Sequence, residues 1–218
     1  MFCFSFCSLA KKYVLCYPKK DVYETKINNV NMKYTETEIP GVWIIEPNVF
    51  ADTRGYFMEA YKKCEFEDII GKMHFIQDNE SSSLRGVLRG LHYQLAPFEQ
   101  SKLVRVIQGN VLDVAVDIRK NSPTFGKYIA VELSGDNKKQ IFIPKGFAHG
   151  FYVISETAVF TYKVDNPYMP THERCIRFDD STIGVNWQIM PDDRVNISEK
   201  DRTAPSLHEA ENNFEYFE

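Results

Sequence analysis

The sequence is poor in what marks a nucleic-acid, membrane or disulfide-stapled protein. Its 26 lysines and arginines are scattered among 30 acidic residues, leaving a net charge of −4, so it offers no basic field to a phosphate backbone. No apolar run is long enough to cross a bilayer. It also lacks internal repeats and low-complexity tracts. Cysteine is sparse: three of the five (Cys3, Cys7, Cys16) fall in the first sixteen residues, and Cys64 and Cys175 stand alone without metal-like spacing. A disulfide framework is therefore not expected.

The first residues, Met1 to about Ala10, are apolar enough to suggest a signal peptide. The basic pair Lys11 and Lys12 follows the apolar run, however, where a signal peptide would carry it in front, and there is no small-x-small cleavage site. Residues 1–31 are accordingly expected to be an extension outside the fold, with Met32 a plausible start. The rest reads as cytoplasmic: one domain over 32–208, large enough for a sizeable core, and an acidic, aromatic tail over 209–218 expected to fray.

From Gly41 onward the pattern is strand after strand. Val42-Trp43-Ile44-Ile45 is a short apolar strand, and the turn Asp52-Thr53-Arg54-Gly55 leads into a second over Tyr56–Tyr61. Lys63 to Ile70 carries the clearest helix signal, with Phe66, Ile69 and Ile70 at helical spacing and Gly71 placed to end it. Leu103–Gln108 and Val111–Ile118, joined by Gly109-Asn110, read as a hairpin. Tyr128–Leu133 and Gln140–Ile143 flank a further turn, and Ala158–Val164 is another strand. After Asn166-Pro167 the alternation fades into a polar third, expected to be irregular and packed around a barrel mouth. Many short strands joined by Gly, Asn and Asp turns predict an all-β barrel or sandwich.

Two runs in this frame carry chemistry. Val87-Leu88-Arg89-Gly90-Leu91-His92-Tyr93-Gln94 and Pro144-Lys145-Gly146-Phe147-Ala148-His149-Gly150 each set a histidine in a short apolar or aromatic run beside glycine. A barrel would carry both imidazoles into a lined pocket, facing one another. The second run fits the Pro-x-Gly-x-x-His element of cupin barrels. A metal-binding cupin would supply His-x-His in the first, but here the position is Gln94, a poor ligand, and the set drops to His92, His149 and Glu99. An imidazole titrating near neutrality is instead well suited to take a proton from carbon or oxygen.

The chain resembles the dTDP-4-dehydrorhamnose 3,5-epimerase family. The likeness runs from about Glu38 to Leu207 through Phe50–Phe57, Gln77-Asp78-Asn79, Leu88–Gln94, Lys102–Arg105, Asp113–Arg119, Pro144–Phe151 and Tyr162-Lys163. It implies a homodimer with a cupin-like jelly-roll barrel, a nucleotide-sugar substrate, and neither metal nor organic cofactor. It further implies epimerisation at the two carbons flanking the C4 ketone of dTDP-4-dehydro-6-deoxy-D-glucose, in dTDP-L-rhamnose biosynthesis. A hydrogen beside a ketone is removable because the resulting anion spreads onto the carbonyl oxygen, so the enzyme needs a base, an oxyanion partner and an acid on the opposite face.

By this resemblance His92 is the base, Asp201 the carboxylate that orients it, Lys102 the partner of the C4 oxygen and Tyr162 the acid. Phe50, Arg54, Glu59, Gln77, Asp78, Asn79, Arg89, Lys102, His149, Tyr168, Glu173 and Lys200 are its substrate contacts, with Tyr168 expected against the thymine ring. Arginine suits a diphosphate because its planar fork makes paired charge-assisted bonds. Three other readings remain open from the residues: a related epimerase acting at one centre or on another nucleotide sugar, a metal-dependent cupin enzyme, and a non-catalytic sugar-binding barrel.

Overall fold

Alternation of apolar and polar residues, repeated between glycine and asparagine turns, produces two antiparallel sheets in the computed structural model, which describes residues 32–216. The expected N-terminal extension and the last two residues lie outside the described residues. Strands β1 (Lys33–Glu36) and β2 (Trp43–Glu46) lead to a separate hairpin of β3 (Val49–Asp52) and β4 (Gly55–Met58), then to helix α1 (Lys63–Ile69). Eight strands follow: β5 (Gln77–Leu84), β6 (Leu88–Gln94), β7 (Lys102–Gln108), β8 (Asn110–Asp117), β9 (Tyr128–Ser134), β10 (Gln140–Ile143), β11 (Phe147–Val153) and β12 (Thr157–Val164). A short β13 (Glu173–Cys175) and helix α2 (Glu199–Arg202) complete the chain.

One sheet has the order β1-β2-β10-β7-β12-β5, and the other β13-β6-β11-β8-β9. The eight central strands thus form β5-β12-β7-β10 over β6-β11-β8-β9, the double Greek key of a jelly roll. Between the sheets Val104, Val106, Ile141, Ile143 and Phe160 meet Val111, Ala115, Ile129, Leu133, Phe147 and Phe151 in one core. Among the described residues no helix is long and apolar enough to cross a membrane.

The hairpin expected at Gly109-Asn110 is not one. The turn is there, with Gly109 at φ +80°, but β7 pairs with β10 and β12 while β8 pairs with β9 and β11. The two strands lie in opposite sheets and face each other across the core. Period-two alternation records only that one face of a strand is buried, and it is the same for a strand's neighbour and for the strand opposite.

The C-terminal third also does more than ring a mouth. Leu112, Val114 and Val116, on the face of β8 turned away from the core, pack with Ile176, Ile183, Trp187, Leu207 and Phe214. Burying each of these large side chains stabilises the fold by about 1.5–3 kcal/mol, which explains why β8 is buried on both faces. The tail expected to fray is held as far as Tyr216: Phe214 is buried, Lys120 N donates to Phe214 O, and Tyr216 N donates to Lys120 O. In α1, Phe66 is buried, while Ile69, expected on the same face, is exposed.

Candidate active site

Continued alternation from Leu88, whose side chain joins the outer cluster, would point His92 outward. It points inward because β6 carries one extra residue. His92 pairs with His149 and Arg89 with Phe151, so Gly90 and Leu91 together oppose Gly150. Beyond this bulge Leu91, Tyr93 and Leu95 take the outer face, and His92 turns into the barrel. Re-aiming a side chain is a recurrent use of bulges. Both glycines are sterically required: Gly90 sits at φ +133°, and a Cβ there would lie 2.5 Å from Gly150 Cα.

The two imidazoles are side by side, and each is held by its own carboxylate. His92 Nε2 lies 2.7 Å from Asp201 Oδ1. Asp201 is buried on α2, where Ser198 caps the helix by accepting from Asp201 N. Burial works to raise the Asp201 carboxyl, but the His92 contact and the Gly90 N–H outweigh it and hold it below the usual range. An ionised carboxylate only accepts, so Nε2 carries the proton and Nδ1 is left as the basic nitrogen. His149 Nε2 lies 3.1 and 3.0 Å from the two oxygens of Asp113, a fully buried residue of β8. Burial pushes the His149 imidazole down, with Asp113 opposing, so it favours the neutral ring.

The facing sheet supplies the other groups. Lys102 projects from the inner face of β7, and burial brings its ammonium down to about 8, against the pull of Asp113 and Glu173. Its Nζ lies 5.9 Å from the centre of the Tyr162 ring. Burial raises the Tyr162 phenol, with Arg89 pulling the other way, so it stays protonated. Tyr162 pairs with Asn79, and Val164 with Gln77, which puts Asn79 and Gln77 on the inner face as well. Arg89 spans the two sheets, its guanidinium donating to Ser83 Oγ at 3.2–3.3 Å. At the mouth, Tyr168 OH donates to Glu173 at 2.7 Å and Lys200 pairs with the same carboxylate. Burial works to raise the Glu173 carboxyl, and these two partners overcome it and hold it low.

Not every expected residue joins this group. Asp78 alternates to the outer face of β5, where it pairs with Lys163 at 2.8 Å. Phe50 stacks on Phe57, and Arg54 pairs with Asp52, so both make their described contacts within the exposed β3–β4 hairpin. Glu59 lies just beyond it, 3.9 Å from Lys62. Gln94 is structural: its amide donates to Phe98 O and Pro167 O and accepts from Met169 N. Glu99, the third candidate of the metal reading, turns to Lys145 at 3.5 Å.

Two neighbours were not singled out from the sequence. Asp113 was visible only as part of a strand motif, and no local signal ties it to His149. Cys175, the cross-strand partner of His92, comes within 3.8 Å of Asp201 Oδ1, and burial first, then Asp201, pushes its thiol up to about 12. His92, Cys175 and Asp201 form a group whose donor atoms all lie within 4.8 Å of one another.

The sequence model of one family, dTDP-4-dehydrorhamnose 3,5-epimerase, matches residues 36–209. The protein of that name from Shigella flexneri is 54% identical over 160 residues, covering 73% of this chain and 88% of its own. The crystal structure of the Elizabethkingia anophelis enzyme is 50% identical, with a TM-score of 0.77 over 81% of this chain and 97% of that one. A Legionella pneumophila epimerase, solved with dTDP-4-keto-L-rhamnose, is 46% identical, with a TM-score of 0.79 over 82% of this chain and 94% of that one. Likeness of this extent, over a jelly roll holding a carboxylate-bound histidine opposite a lysine and a tyrosine, makes the chain a member of the dTDP-4-dehydrorhamnose 3,5-epimerase family.

Proposed function

We propose that the protein epimerises dTDP-4-dehydro-6-deoxy-D-glucose at C3 and C5 to dTDP-4-dehydro-L-rhamnose, as a cytoplasmic enzyme of dTDP-L-rhamnose formation. The observation that carries this reading is the convergence of His92–Asp201, Lys102 and Tyr162 on one barrel interior. His92 takes the proton from the carbon beside the ketone, and buried Asp201 stabilises the imidazolium that forms. The Lys102 ammonium, already desolvated, lies where negative charge develops on the C4 oxygen and stabilises the enolate without reorganising water. Tyr162 returns a proton from the facing sheet. His149, Arg89, Gln77 and Asn79 line the sugar and diphosphate path, and Tyr168, Glu173 and Lys200 form its rim.

The β3–β4 hairpin supports a homodimer. Phe50, Tyr56 and Phe57 are all more than half exposed there, an apolar ribbon that association would cover. In such a dimer Phe50, Arg54 and Glu59 reach the partner's substrate, where the Arg54 fork meets the diphosphate. Incubation of the purified protein with dTDP-4-dehydro-6-deoxy-D-glucose in deuterated water tests the reading. Deuterium at both C3 and C5 and an L-rhamno product are expected, and exchange at one carbon alone would replace it with a single-centre epimerase.

A further inference from the structure

We infer that His92, Cys175 and Asp201 form an inhibitory binding site for a zinc-class divalent cation, a ligand for which the epimerisation itself has no use. The three donors come from β6, β13 and α2 and are brought together by the His92–Cys175 cross-strand pairing and the 2.7 Å His92–Asp201 contact. An imidazole nitrogen, a thiolate and a carboxylate are the donors of three-ligand zinc sites that keep a fourth position for water. A thiolate selects zinc, cobalt or cadmium over magnesium or calcium. Zinc bonds of ordinary length separate tetrahedral ligands by roughly 3.3–3.6 Å. The Cys175 Sγ to Asp201 Oδ1 distance of 3.8 Å is already close to that, and the His92–Asp201 pair has to open by roughly half an ångström. His92 is 29% exposed and keeps the site open to the barrel. Lys200 opposes a cation here, but it is paired with Glu173.

The consequence for the reaction rests on the role proposed for His92. The metal binds Nε2, the ring's single proton moves from Nε2 to Nδ1 through solvent, and the thiol proton leaves to solvent. Neither ring nitrogen then has a lone pair free, so the base is quenched while the substrate path past Arg89, Lys102 and Tyr162 is untouched.

The test uses the full chain with serine at Cys3, Cys7, Cys16 and Cys64 as the parent, freed of metal with a chelator, against further Cys175→Ser and Cys175→Ala variants checked for folding by thermal melting. Cobalt alone should give the parent a thiolate-to-metal charge-transfer absorption that both Cys175 variants lack. Zinc should depress kcat of the parent with little change in KM, reversed by chelator. Both variants should turn over normally without metal and need at least ten-fold more zinc for the same inhibition. The cobalt band does not depend on turnover, so a Cys175-dependent band in a protein inactive on the sugar nucleotide upholds the site and discards the functional reading. A band that survives in the Cys175 variants, or equal zinc sensitivity in all of them, overturns the site.

Discussion

His92 and His149 are direct cross-strand partners, yet each imidazole is bound by a carboxylate from a different part of the chain, Asp201 on the C-terminal helix and Asp113 on a core strand. The two environments suit the rings to different duties. His92 is partly open to the barrel beside an ionised Asp201 and is suited to take up a proton. His149 is buried and favours the neutral ring, suited to orient a substrate group. His92→Ala should therefore cut kcat by about 10²–10⁴-fold, the usual contribution of general base catalysis, with nucleotide affinity nearly unchanged. Asp201→Asn should lower kcat less and leave KM alone. Steady-state kinetics with substrate exchange in deuterated water checks both, and robust exchange by His92→Ala would remove it as the base.

If Lys102 partners the C4 oxygen, the reaction should have an alkaline limit. Its ammonium loses its proton at about 8 instead of the usual lysine value of 10.5, so kcat should fall as pH rises through about 8. The residual activity of Lys102→Met, expected to be down about a hundred-fold or more, should show no such limb. Asp113 raises the Lys102 value, so Asp113→Asn should move the limb to lower pH as well as raise KM. Linkage gives a second readout. Between about 8 and 10.5 the folded chain holds this lysine neutral while the unfolded chain still binds a proton, so its contribution to stability rises with pH in that window. A pH profile for Asp113→Asn superimposable on that of the parent would separate Lys102 from the alkaline limb.

The bulge at Gly90 makes a prediction about stability. Alanine there would place Cβ 2.5 Å from Gly150 Cα at φ +133°, where neither partner has a side chain to move. Gly90→Ala should destabilise the fold by about 2 kcal/mol or more, seen as a melting temperature several degrees lower, and should depress turnover in the fraction that folds. A variant as stable and active as the parent would show that the extra residue is not what aims His92.

That bulge also marks where the sequence stops being legible. The strands themselves could be read, since alternation in Val111–Ile118 or Ala158–Val164 follows directly from half-burial. Their assignment to sheets could not, because Val104 and Val111 look alike whether they are neighbours or face each other across a core. The inward turn of His92 depends on a one-residue irregularity that no periodicity announces. Asp201 entered only by resemblance, Asp113 only as part of a strand, and Cys175 became a neighbour of the site through the pairing of β13 with β6, a contact between segments far apart in sequence. Phe50 and Arg54 were recognisable as motif residues, but their place on a separate, exposed hairpin follows from the structure alone.

Tyr162→Phe tests the division of labour most sharply, because it removes one hydroxyl and leaves the ring to pack between Phe160 and Lys102. The phenol is held protonated by burial and stands on the sheet opposite His92, so it is placed to deliver a proton from the other face. With the hydroxyl gone, His92 and Lys102 should still form the enolate. Solvent deuterium should continue to enter the substrate at close to the parental rate, while inverted product falls by about a hundred-fold at one carbon or both. Epimerisation at the parental rate would make Tyr162 a packing residue and assign the proton to water or another group. Loss of exchange together with inversion in a folded variant would place the hydroxyl in enolate formation itself, and the two-face mechanism would fail.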